Sequence, residues 1–190
     1  IVVIGSKGRG KSYFTKFLIS GIKRKIIYDR NWEYSEKGLV VHDVKSMKKA
    51  IFFDDLTSIV FQPIHFSKEE FDDVASFINY HLSNFLFVVE EAHHYAHSRG
   101  YISQSFRELV NRGRHQGIGL ILTSTRPSHF HKDIRERADY VICFQLHELD
   151  DVKYMSKWMG IGEANIKNLE LYHSIVYDTR TNEVYKQKPC

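Results

Sequence analysis

Four apolar residues, Ile1, Val2, Val3 and Ile4, run straight into Gly5-Ser6-Lys7-Gly8-Arg9-Gly10-Lys11-Ser12, and helical periodicity then starts at about Lys11 with Phe14, Phe17 and Leu18. A strand, a glycine-rich turn and a helix in that order leave few folds open. The turn matches Gly-x-x-x-x-Gly-Lys-Ser in full. Glycines let successive backbone N–H groups turn inward around an anion, and the helix N-terminus adds partial positive charge. Lys11 is placed to reach the β- and γ-phosphates of a nucleoside triphosphate, and Ser12 to offer a hydroxyl to Mg2+. Gly5, Ser6, Lys7, Gly8, Arg9, Gly10, Lys11, Ser12 and Tyr13 are therefore the expected nucleotide-binding segment, with the cations of Lys7 and Arg9 read as facing solvent.

Short apolar runs alternate with helical patterns through the rest of the chain, which predicts an α/β fold with a mostly parallel sheet and helices on both faces. Strands are expected at 1–4, 25–28, 85–89, 118–123 and 140–144, and a closing hairpin at 174–178 and 183–185. Between residues 38 and 66 the pattern is least readable; the apolar groups at 39–41, 51–53 and 59–61 read as three short strands. Ser67 opens a helix with a capping box completed by Glu70, and Phe71, Val74, Ile78 and Leu82 form its buried stripe. Helices are also expected at 103–115 and 148–159. With 190 residues and no low-complexity linker, one domain spanning 1–190 is the expected organisation.

No apolar stretch approaches the roughly 20 residues that cross a bilayer. The chain starts at Ile1 inside an apolar run, so a few upstream residues are expected, and no signal peptide is readable. Two cysteines, Cys143 and Cys190, exclude a disulfide framework or a four-cysteine metal site. A soluble protein in a reducing compartment fits. The formal charge of +4 is compatible with a nucleic-acid partner and does not require one.

A second acidic feature stands where ligands of parallel sheets bind. Glu90 and Glu91 end the buried strand 85–89, at the carboxyl edge of the sheet. Glu90 is expected to hold Mg2+ through water, and Glu91 to orient or deprotonate an attacking water. His93, His94 and His97 follow and invite a zinc reading, but the His-Glu-x-x-His order and a third ligand are missing. The segments 112–117 and 123–128 flank the strand 118–123 and are both read as lying on the phosphate side. They carry Arg112, Arg114 and Arg126, any of which can stabilise charge on a γ-phosphate, against a background of ordinary surface arginines.

With these segments in hand, the chain resembles the FtsK/HerA superfamily of DNA-translocating ATPases over nearly its whole length. The resemblance rests on Val89-Glu90-Glu91-Ala92-His93, Arg114-His115-Gln116-Gly117-Ile118 and Thr125-Arg126-Pro127-Ser128. The later segments Ile134-Arg135-Glu136-Arg137-Ala138-Asp139 and Leu149-Asp150-Asp151-Val152 are similar too. Among its members the chain is most similar to the small genome-packaging ATPases of membrane-containing icosahedral viruses, the Sulfolobus turreted icosahedral virus group.

The resemblance implies a RecA-like (ASCE) P-loop fold, with ATP and Mg2+ as cofactors. It implies a homo-oligomer, a hexameric ring that moves double-stranded DNA without sequence preference through its pore. Capsid vertex or membrane proteins are implied as further partners, and the host cytoplasm or the virion as the location. Arg114 then becomes the candidate finger acting on a neighbour's ATP, with Arg112 and Arg126 in reserve. Thr125, beside Ser124, stands where the family usually carries a glutamine sensor. Asp29 and Glu33 match the acidic segment after the second strand of the HerA branch. Residues 97–101, Lys132 and Arg135 are candidate DNA contacts.

Other classes make different demands on the chain. A cellular HerA-like translocase or helicase shares the motifs. A DEAH-type helicase needs two tandem domains, which do not fit. A small P-loop kinase has no need of the Arg114 and Arg126 segments, and a nucleotide-gated scaffold has no need of Glu91.

Overall fold

Side chains of a strand point alternately to opposite faces, and here that alternation sorts the central strands into two apolar clusters. Val2, Ile26, Phe61, Phe87, Val89 and Val141 face one way, and Val3, Ile27, Val60, Val88, Ile121 and Ile142 face the other. The computed structural model describes residues 1–54, 57–98, 100 and 102–189.

The strands are β1 (Val2–Ile4), β2 (Lys25–Tyr28), β3 (Leu39–Val41), β4 (Ser58–Phe61), β5 (Leu86–Val89), β6 (Gly119–Ser124), β7 (Tyr140–Phe144), β8 (Ser174–Asp178) and β9 (Glu183–Gln187). They form one nine-stranded sheet in the order β3-β4-β2-β5-β6-β1-β7-β8-β9. β1 to β7 pair in parallel, and β8 and β9 add an antiparallel hairpin at one edge. The expected mostly parallel sheet with a C-terminal hairpin is what the chain forms. Because β5, β6 and β1 are neighbours, the loops leaving all three emerge side by side at the carboxyl edge.

The two faces are covered unequally. On the first lie α2 (Val44–Phe52), α3 (Lys68–His81), α4 (Gln104–Arg112), α5 (Lys132–Arg137) and α6 (Leu149–Met159), through Met47, Phe71, Phe106, Ile134 and Met155 among others. The second face is covered by α1 (Lys11–Leu18), which contributes Phe14, and by Ile19 and Tyr34. A short α7 (Glu163–Lys167) precedes the hairpin.

Residues 51–53 are not a strand. Val44, Met47, Ala50 and Ile51 recur at helical spacing, Asp43 caps the start by accepting from the Ser46 N–H at 2.8 Å, and the segment forms α2. Phe53, 82% exposed, lies just past its end, so the apolar triad is not a buried run. The capping box at Ser67 is only half made. The Ser67 hydroxyl accepts from the Glu70 N–H at 3.1 Å, but donates to Glu69, while the Ser67 N–H goes to the His65 carbonyl. The helix expected over 103–115 ends at Arg112 and continues as a 3-10 turn, Gly113–Gln116. Among the described residues no helix is long and apolar enough to cross a membrane.

Candidate nucleotide site

The glycine-rich loop joins β1 to α1, and its three glycines are demanded by space or backbone, Gly8 by a φ of 75. A side chain at Gly5 would meet Phe144 Cβ at 2.6 Å, and Gly10 has φ 107, in the left-handed region that L side chains rarely adopt. The loop is pinned to the sheet edge: the Gly5 N–H donates to the Ser124 carbonyl and the Ser6 N–H to that of Gln145. Gly10 caps α1 without any side-chain hydrogen bond, so the first N–H groups of the helix stay free for an anion.

A cavity of about 760 Å3 opens over this loop, bounded by Ser6, Lys7, Gly8, Lys11 and Ser12 on one side and by Glu33, Glu90, Glu91, Thr125 and Arg126 on the other. Lys11 is buried, and its ammonium donates to the Ser6 carbonyl at 3.2 Å. Burial lowers its pKa, with Glu91, Glu90 and Glu33 pulling the other way. Arg9 turns aside to His147, 2.9 Å away, while exposed Lys7 borders the cavity. Tyr13, 65% exposed, belongs to a different cavity described below.

Glu90 is 3% exposed. Burial pushes its carboxyl up to about 7, reinforced by Asp29 and Glu33, although the Asn31 N–H donates to its Oε2 at 2.9 Å. A buried carboxylate crowded by others, lining the same cavity as Ser12 with its hydroxyl, is a donor set suited to a hard cation. Mg2+ takes one or two protein oxygens and fills its remaining positions with water and phosphate oxygens. The residues present fit that ion. Asp29 does not border the cavity; its carboxylate is consumed by the N–H groups of Glu33 and Tyr34 and by the Gln62 amide, and it shapes the 29–34 loop that carries Glu33.

Glu91 sits at φ 48, an uncommon conformation for a glutamate. Its Oε2 accepts from both the N–H and the hydroxyl of Thr125, each at 3.1 Å, and lies 3.3 Å from His93 Nδ1. Thr125 is therefore joined to the second glutamate. Ser124 stands behind it, fully buried, its hydroxyl 2.8 Å from His93 Nδ1 and accepting from the Arg126 N–H at 2.9 Å. Burial and the neighbouring imidazoles of His94 and His129 hold His93 down to about 3, so it is neutral. Among the described residues no group of three or more His, Cys, Asp or Glu side chains is arranged to hold a metal.

The arginine segments are not on the same side. Arg126 leaves the carboxyl end of β6 and borders the cavity, 3.5 Å from Asp151, which also accepts from the Ser128 hydroxyl at 2.7 Å. Arg112 and Arg114 precede the amino end of β6. In a parallel sheet the loop entering a strand lies at the edge opposite the loop leaving it, so both are remote from their own subunit's phosphates. Both are exposed.

Sequence reasoning did not single out Arg30, Asn31, Leu146, Glu148 and Asp151 as cleft residues. They come from two stretches far apart in the chain, 30–31 and 146–151, the second running into α6, and no motif joins them. It also missed a neighbouring cavity of about 420 Å3 behind Gly10, lined by Tyr13, Phe14, Phe144, Tyr172 and Pro189. Of the candidate DNA contacts, Arg99 and Tyr101 lie outside the described residues. Lys132 is exposed, and Arg135 is half-buried over the Tyr154 ring.

The whole chain superposes on the genome packaging NTPase B204 from Sulfolobus turreted icosahedral virus 2 in complex with AMPPCP. The TM-score is 0.86 at 23% identity, with 100% of this chain and 96% of that one covered. B204 of Sulfolobus turreted icosahedral virus, a DNA-packaging ATPase, gives a TM-score of 0.83 at 25% identity, with the same coverage of 100% and 96%. The chain has a P-loop NTPase fold like that of B204. A probable DNA double-strand break repair helicase HerA from Methanocaldococcus jannaschii is 31% identical over 87 residues, which is 44% of this chain. The chain spans 17% of that protein's length. No family model matches. The expected fold and the resemblance to B204-like and HerA-like P-loop ATPases are thus met.

Proposed function

We propose that the protein hydrolyses ATP with Mg2+ and uses the energy to move double-stranded DNA, as a viral genome-packaging motor. One observation carries the enzymatic half: Lys11, Ser12, Glu90 and Glu91 converge on a single cavity at the carboxyl edge of the sheet. The loop and Lys11 hold the phosphates; Ser12 and Glu90 hold the ion, which when bound screens phosphate charge. Glu91 accepts the proton of the attacking water, and Thr125 fixes the direction of its carboxylate. The aromatic cavity behind Gly10 suits the adenine ring, which stacks on such walls.

The DNA half rests on the likeness to B204, described as a DNA-packaging ATPase, and to a HerA helicase. A homo-oligomeric ring, hexameric as the resemblance to the FtsK/HerA superfamily implies, brings Arg114 of one subunit to the ATP of the next; Arg126 supplies a cation from within the subunit. The capsid vertex and its membrane are the surroundings this reading implies, in the host cell and in the virion.

The decisive experiment measures phosphate release with and without duplex DNA, together with the mass of the oligomer. DNA-stimulated hydrolysis by wild type and none by Lys11→Ala supports the motor. A phosphorylated small-molecule product in place of free phosphate establishes a kinase instead, and ATP held without turnover establishes a scaffold.

A further inference from the structure

A third cavity, of about 610 Å3, lies against the nucleotide cleft, and His93, His94 and Arg126 border both. Its other walls are Lys68, His97, Gly100 and His129. No carboxylate is among its described lining residues. The histidines arrive from two loops that leave the carboxyl ends of neighbouring strands. His93 and His94 occupy a 3-10 turn after β5, and His129 a 3-10 turn after β6. The loops are laced together where the Ser98 N–H donates to the His129 carbonyl at 2.7 Å and the His131 N–H to that of Ala96 at 3.0 Å. Lys68 is the first residue of α3.

Imidazoles gather in close contact here: His93 and His94 rings are 4.1 Å apart, and His97 and His129 rings 4.8 Å. Such a group presents ring N–H donors beside two permanent cations, and an oxyanion is the ligand that uses both. His94, His129, Lys68 and Arg126 are exposed, so the cavity is open to a large polyanion. We propose that it seats a backbone phosphate of the translocated nucleic acid, held by Lys68, His94, His97 and His129, and that its occupation reaches Glu91 through His93. This rests on the motor reading above.

The link is short. His93 Nδ1 is 3.3 Å from Glu91 Oε2 and 2.8 Å from Ser124 Oγ, so a shift of the histidine loop moves a neighbour of the catalytic carboxylate and of the strand end that carries Thr125. Partial desolvation of the ring, then the Arg30 guanidinium and the neighbouring imidazoles, hold His94 below its usual pKa against the pull of Glu91, and an anion in the cavity relieves that pressure. The site thereby lets hydrolysis respond to DNA without any base being read, as a motor that travels along any sequence requires.

The test is fluorescence anisotropy of a labelled duplex with full-length protein and ATPγS, over a range of salt, for wild type, Lys68→Ala and His129→Ala. Lys68→Ala is expected to weaken duplex binding about tenfold and to reduce the salt slope by about one, the share of one phosphate contact. His129→Ala is expected to weaken it severalfold and to lower the ratio of DNA-stimulated to unstimulated hydrolysis. Thermal melts and ATPγS affinity establish that the variants are folded. Unchanged duplex affinity and slope in both folded variants overturn the site while the motor reading stands. If wild type binds no duplex, the motor reading itself falls. A parallel arm measures inhibition by inorganic phosphate: variants that lose that inhibition but keep full duplex binding assign the cavity to released phosphate and overturn the DNA assignment.

Discussion

The two ends of β6 carry arginines in opposite situations. At its carboxyl end Arg126 borders the nucleotide cavity and is 3.5 Å from Asp151; at its amino end Arg112 and Arg114 stand exposed across the width of the sheet. One end borders the nucleotide cavity of its own chain, and the other has no phosphate to act on there. The contrast teaches that proximity in sequence to a catalytic strand says nothing about which edge of the sheet a residue occupies. It also divides the proposed machinery into a part tested in one subunit and a part that needs two.

The largest effect that would break this division is at Arg114. If it acts on a neighbour, Arg114→Ala is expected to slow turnover by about 10³ to 10⁵, the range of an arginine finger, with nucleotide affinity retained. Mixing it with Glu91→Gln then restores activity, because some interfaces pair an intact Glu91 with an intact Arg114. Steady-state phosphate release of the mixtures checks this; a fully active Arg114→Ala assigns the finger to Arg126 or Arg112.

Within the subunit, Glu91→Gln is expected to slow hydrolysis by about 10² to 10⁴ while ATP stays bound, since a base is lost and the phosphate cradle is not. Equilibrium binding alongside single-turnover hydrolysis separates the two. Loss of nucleotide affinity would mean that Glu91 serves the ion and not the water.

How much of this was legible beforehand follows from distance along the chain. The strand-turn-helix at Gly5 to Ser12 and the acidic pair after Val89 are local patterns, and the structure brings both to one cavity. The β8–β9 hairpin was equally local. By contrast, the pairing of Thr125 with Glu91 joins loops 34 residues apart, and that of Ser128 with Asp151 joins the loop after β6 to the first turn of α6, 23 residues on. Nothing in either segment names its partner. Three consecutive apolar residues at 51–53 carry no period and so resemble a strand; the Asp43 cap and the spacing of Val44, Met47 and Ala50 are the better signal. The side on which Arg114 lies was available from topology alone, once strands 85–89 and 118–123 were taken as parallel.

Thr125 tests whether the cleft end of β6 is a sensor or a brace. Its hydroxyl and its N–H both donate to Glu91 Oε2. Thr125→Val removes only the hydroxyl and keeps the shape, and is expected to slow turnover about tenfold, the value of one hydrogen bond to a charged group. Pre-steady-state kinetics show whether the hydrolysis step is the one slowed. An unchanged rate would leave the backbone N–H sufficient to hold Glu91.

A last effect, on stability and not on rate, separates the ion-binding carboxylate from the catalytic one. Glu90 titrates at about 7 in the folded chain against 4.5 for an ordinary glutamate, because burial and the carboxylates of Asp29 and Glu33 disfavour its charge. A raised carboxyl pKa favours folding while the group is protonated. The folded state then loses stability as pH climbs, beginning where the unfolded chain ionises and ending where the folded one does. Glu90→Gln carries no such charge. Relative to wild type without nucleotide or Mg2+, it is expected to gain stability through that window, by an amount on the order of 3 kcal/mol above it. Melting temperatures recorded across pH would show the two proteins diverging from the acid side and running parallel above neutrality. Mg2+ with nucleotide should reverse the order, since a cation is what the buried carboxylate lacks and what the glutamine cannot use. Parallel curves at every pH would mean that Glu90 is already neutralised within the fold, and the assignment of the ion would pass to Glu33 or Glu91.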